Sequence, residues 1–104
     1  FLPSEVSDHY FAAEILIGRQ RYETALVYIE QGIKETAARQ EGYYESSLLF
    51  LKAFALTKMR NFVRAQTVLS EINPTDRFWV DRPDRPYTKE ELLKEIERRS
   101  FTTT

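Results

Sequence analysis

Apolar positions in the first part of the chain recur every three or four residues. Tyr10, Ala13 and Ile17 form one such series and Phe11, Ile15 and Gly18 another, so apolar residues cover more than half the circumference of a helix. Ser4 or Ser7 stands where its N-cap belongs. Tyr22, Ala25, Ile29, Ile33 and Ala37 make one stripe of a second helix, and Gly18 with "RQR" supplies a tight turn before it. A third helix is predicted over "EGYYESSLLFLKAFALTKM". A fourth over "NFVRAQTVLSEIN" stops at Asn73-Pro74. No segment alternates apolar and polar residues over a strand's length; "RFWV" is the nearest approach, and it is short.

The pattern then changes. "PTDRFWVDRPDRP" holds three Asp-Arg pairs and three of the four prolines, which reads as an extended connector. Phe78, Trp79 and Val80 are expected to fold back from it onto the helices. A last helix starts at Thr88, because Thr88 and Glu91 have the spacing of a capping box and Leu92, Leu93 and Ile96 follow on one stripe. "SFTTT" reads as a frayed end. One domain is predicted, with helices over 1–74, the connector over 75–87, and a helix and tail over 88–104.

The chain also resembles itself at an offset of forty residues. Tyr10, Phe11, Ala13 and Leu16 match Phe50, Leu51, Ala53 and Leu56; Tyr22, Ala25 and Ile29 match Phe62, Ala65 and Leu69. The alanines let paired helices approach closely, and the aromatic ahead of the second alanine fills the gap beside it. On these residues, about 6–74, the chain resembles the tetratricopeptide repeat, a helix-turn-helix unit that stacks on its neighbours. It departs from that family in spacing, which is about 34 residues there, and in lacking the first-helix Trp and the Leu-Gly pair. Gly32 fits the second small position and Ile72 does not. The fold expected is all-α: two antiparallel helix-turn-helix units of tetratricopeptide type with a C-terminal capping helix.

Composition narrows the function classes. A net charge of −1, from 15 basic and 16 acidic residues, gives no electrostatic basis for nucleic-acid binding or basic attachment to a membrane. The absence of cysteine excludes disulfides and thiolate metal sites and fits a reducing, cytoplasmic setting. Apolar runs are too short to span a bilayer. The start at Phe1 rather than Met is expected of an excised piece.

Candidate chemistry is sparse. His9 is the only histidine; Glu5 lies one helical turn away and Asp8 beside it, a weak metal pattern against the commoner reading of a surface histidine. Ser46-Ser47 has no histidine base nearby in sequence, and there is no glycine-rich phosphate loop. In "TKEELLKEIERR" the pairs Glu90–Lys94 and Glu95–Arg99 read as a solvated helix face. No catalysis, cofactor or metal is expected.

The resemblance implies instead a partner-binding groove lined by the first helix of each unit. Its residues are Tyr10, Glu14 and Ile17, then Phe50, Phe54 and Lys58. With Tyr10, Glu14 and Phe50 at its head, the groove does not look like one that grips a terminal carboxylate. Phe50 and Phe54 suit an apolar anchor for a peptide or helix of a protein partner. Two alternatives stay open. The same faces can serve self-association as a homodimer, or Phe50 and Phe54 are core, covered by Phe78-Trp79 or the last helix, leaving Tyr43 and Tyr44 as the next exposed aromatics.

Overall fold

The computed structural model describes residues 6–39, 44–80, 82 and 84–101. Among them the elements run α1 (Val6–Gly18), α2 (Tyr22–Arg39), α3 (Glu45–Lys58), α4 (Phe62–Leu69), β1 (Arg77–Phe78), β2 (Tyr87–Thr88) and α5 (Lys89–Phe101). The protein is mostly helical, as the periodicity predicts. Each helix packs on the next in sequence, α3 also reaches α1, and α5 packs on both α3 and α4.

The turns that join α1 to α2 and α3 to α4 have the same construction. In the first, the Gln20 amide donates to the Ile17 carbonyl (3.0 Å) and the Arg21 amide to Leu16 (2.9 Å). In the second, Arg60 donates to Thr57 (3.0 Å) and Asn61 to Leu56 (2.8 Å). This is the Schellman arrangement, which satisfies the last carbonyls of a helix and needs a left-handed residue just beyond it. The left-handed residues are Gln20 (φ 60°) and Arg60 (φ 65°), forty positions apart. Within the turn expected over Gly18 and "RQR", Gln20 is the left-handed residue and Gly18 is the last residue of α1.

Small residues set how closely the helices approach. Ala13, Ala25, Ala53 and Ala65 are all fully buried. Gly32 on α2 lies between α1 and α3: a Cβ there would stand 3.1 Å from the His9 Cβ and 3.1 Å from Leu48 Cδ1. This contact explains why His9, expected on the surface, is only 5% exposed. The missing side chain of Gly32 lets α1 settle against α2 at that point.

The N-terminal cap at Ser4 falls outside the described residues, and Ser7 is the second residue of α1 rather than its cap. Helix α4 ends at Leu69, earlier than the sequence pattern suggests, and the chain tightens into i→i+3 bonds from Glu71 to Val68 (3.1 Å) and Ile72 to Leu69 (3.0 Å). Asn73 then makes an Asx turn, its Oδ1 accepting from the Thr75 amide (2.9 Å) and hydroxyl (2.8 Å).

The segment expected as a connector is a hairpin. Arg77 pairs with Thr88 and Phe78 with Tyr87, antiparallel. Residues 77–80 alternate in burial, with Phe78 and Val80 inside and Trp79 56% exposed, so the expectation that all three of Phe78, Trp79 and Val80 pack inward holds for two. Arg82 closes the loop: its Nε donates to the Arg85 carbonyl (3.0 Å), and its Nη2 donates to the Pro86 carbonyl (2.8 Å) and to Glu91 (2.7 Å). Its guanidinium also lies over the Tyr87 ring, 3.7 Å from the centroid. The Glu91 amide donates to Thr88 Oγ1 (3.2 Å), half of the predicted capping box, while the Glu91 carboxylate is taken by Arg82. Lys89 Nζ donates to the Ile72 carbonyl (3.1 Å), tying the start of α5 to the end of α4.

Candidate functional site

The six residues expected to line a groove divide into two groups. Phe50 and Phe54, 0% and 1% exposed, lie beneath the hairpin. The Phe78 ring stacks on Phe50 with centroids 4.3 Å apart and planes 11° apart, and Tyr87 meets Phe54 edge-on at 5.6 Å. Lys58 caps this end, its ammonium 5.2 Å from the Phe54 centroid and 3.9 Å from a Glu95 oxygen. The anchor site is therefore filled from within the chain. Of the two covers the sequence allowed, the connector reaches Phe50 through Phe78 rather than Trp79, and Tyr87, unremarked in the sequence, reaches Phe54.

The other half of the face is more open. Ile17 is buried, but Tyr10 and Glu14 are half-buried. The Tyr10 ring lies 5.4 Å from that of Tyr44 and meets Phe11 edge-on at 5.5 Å. Burial first, then the neighbouring Glu14 carboxylate, pushes the Tyr10 phenol well above its ordinary range. The phenol donates to that carboxylate. Tyr43 lies outside the described residues, and Tyr44 is half-buried.

Two exposed residues complete the picture. Phe11 is 53% and Ile15 58% exposed, one turn apart on the outer side of α1. Their partners at the forty-residue offset, Leu51 and Ala55, are both fully buried. The sequence held this signal, since Phe11 aligned with Leu51, but burial of one copy and exposure of the other follows only from the order of helices in space.

Among the described residues the groups with potential chemistry do not assemble. His9 Nδ1 is buried and finds no hydrogen-bond partner among the described residues, and Glu5 lies outside them. Among the described residues no three His, Asp or Glu side chains converge as metal ligands. A depression of about 210 Å³ beside the hairpin is lined by Arg82, Arg85, Tyr87, Glu91, Lys94, Glu95 and Arg98. Its carboxylates are already engaged. Arg82 holds the Glu91 carboxyl below its ordinary range, chiefly through its donated hydrogen bond. Glu95 lies 3.5 Å from Arg99 and 3.9 Å from Arg98. The Glu90–Lys94 pair predicted on the solvated face forms at 3.3 Å. Arg82–Glu91 ties α5 to the hairpin and Lys58–Glu95 ties it to α3, while the other pairs lie within α5.

No protein-family profile matches the chain, and neither a curated protein nor a solved structure does. Among the described residues no helix is long and apolar enough to cross a membrane.

Proposed function

We propose that the chain is a non-catalytic protein-interaction module of tetratricopeptide-like design, in which two helix-turn-helix units stack and α5 takes the place of a third first-helix. The observation that carries this reading is the pair of matched turns, Leu16–Arg21 and Leu56–Asn61, bonded alike and each with a left-handed residue at the same step. The four buried alanines at matching positions support it, as does the packing of α3 on α1 and of α5 on α3. A module of this kind presents helix faces to a peptide or helix of a protein partner. Because Phe50 and Phe54 are covered by Phe78 and Tyr87, the partner engages a face other than that end of the groove.

Self-association through the same open faces is the second reading, favoured by the exposure of Phe11 and Ile15. Sedimentation equilibrium over a hundredfold range of concentration separates the two: the interaction-module reading expects a monomer mass throughout. Selection from a displayed library of helical peptides is its positive test. Saturable, competable binders are expected, and a library that enriches none would sink the reading.

A further inference from the structure

We propose that the outer face of α1, centred on Phe11 and Ile15, is the docking site for an amphipathic helix of a partner protein that carries basic residues beside its apolar stripe. The inference rests on the module reading above and names the face and the partner class.

The internal equivalence of the two units says what covers such a face. On α3 the stripe Leu48, Leu51, Lys52 and Ala55 runs along one side at helical spacing. Leu48 abuts Gly32 of α2, and Lys52 pairs with Glu30 of α2 at 2.8 Å. Leu51 and Ala55 continue that stripe and are fully buried. Forty residues earlier the same stripe on α1 reads Asp8, Phe11, Ala12 and Ile15, and its two large apolar side chains are more than half exposed. Among the described elements α1 packs on α2 and α3, and this side is left over. The face is thus continuous with the helix-on-helix interfaces of the stack, and a helix placed as α2 is placed on α3 would seal it.

Charge then chooses the occupant. At the position of Lys52, which holds Glu30 of α2, α1 has Ala12; Asp8 lies one turn away on the same stripe, and α1 contains no lysine or arginine. A helix with a glutamate at the place of Glu30 would meet Asp8 rather than a cation. A helix with lysine or arginine at that point meets its complement, so the fit is to a basic partner rather than to the α2 helix of a second copy.

The probe is a fluorescein-labelled peptide of residues 22–39 carrying Glu30→Lys, titrated with the whole chain and followed by anisotropy. Saturable binding is expected, several-fold tighter than that of the unsubstituted peptide and weakening as salt rises. Ile15→Asp and Phe11→Asp should each weaken it by roughly tenfold or more. Both sites are exposed, so the variants should unfold at the wild-type temperature, which shows that binding rather than folding was lost. Equal binding of both peptides, or binding unaffected by Ile15→Asp, overturns the proposal. So does a wild-type dimer that Phe11→Asp dissociates, which would give the face to a second copy. If this peptide fails while the helical library yields binders elsewhere, the face is wrong and the module reading survives; if neither binds, both fall.

Discussion

The left-handed residues of the two turns offer the sharpest test of the idea that one local design is used twice. Gln20 and Arg60 sit at φ 60° and 65°, where a side chain crowds its own carbonyl at a cost of about 1–2 kcal/mol. Glycine removes that cost but enlarges the unfolded ensemble, which returns roughly 0.5–1 kcal/mol. Gln20→Gly should therefore stabilise by about 0.5–1 kcal/mol, since Gln20 is exposed and gives up no packing. Arg60→Gly should gain less. The Arg60 guanidinium lies 5.7 Å from the Phe62 centroid, and an exposed contact of that kind is worth about 0.5 kcal/mol. Urea unfolding at 25 °C reads both, with the Gln20→Gly midpoint rising by about 0.5 M at a typical slope for a small domain. The double variant should add, because each change is confined to its own turn. If either glycine lowers the midpoint, the turns do not hold the conformation described, and the argument from their likeness fails.

Other outcomes follow from the packing. Phe78→Ala should destabilise by about 3 kcal/mol, the low end for a buried phenylalanine because a site beneath a two-residue ladder can collapse or admit water, and fluorescence of an apolar dye should report the uncovered Phe50 and Phe54. Gly32→Val should cost about 1–3 kcal/mol in thermal unfolding, since the His9 Cβ and Leu48 already occupy the space, whereas Gly18→Ala, which meets nothing within 4 Å, should gain about 0.5–1 kcal/mol of helix propensity. Arg82→Ala should loosen the hairpin by about 1–2 kcal/mol and flatten the acid limb of the stability profile. The sign follows from Glu91: Arg82 depresses its folded pKa, so the pair's contribution is whole above the unfolded value of about 4.3 and is lost as pH falls through the lower folded value.

The helices and their turns were legible because their signals are local. A period of 3.6 shows within a few residues, and the two alanines of each unit lie only twelve apart. The turn over Gly18 and "RQR" was legible, but not which of its residues is left-handed: the Schellman bonds count from the end of the helix and land on Gln20. The run Phe78, Trp79 and Val80 does not alternate in the sequence, so its alternating burial was not visible, and its pairing with Tyr87 and Thr88 was hidden by the proline-rich loop between them. For the groove the limit was different. Helical spacing puts Phe50 and Phe54 on one face but says nothing of what lies above it, since a ring from the far end of the chain leaves no mark near residue 50. His9 was misjudged for the same reason: its burial depends on a glycine one helix away.

The stacking of Phe78 on Phe50 also bears on the order of folding. Most helix contacts here join sequence neighbours, which is the low-contact-order arrangement that forms fastest. The hairpin is the exception, because it must close a long loop before its rings meet their partners, and loop closure is costly until such contacts repay it. The helical pairs α1–α2 and α3–α4 therefore form first, with Phe50 and Phe54 bare to solvent during that interval. A newly made chain is expected to pass through a state in which its stickiest surface is uncovered, until docking of the C-terminal third ends the period of risk.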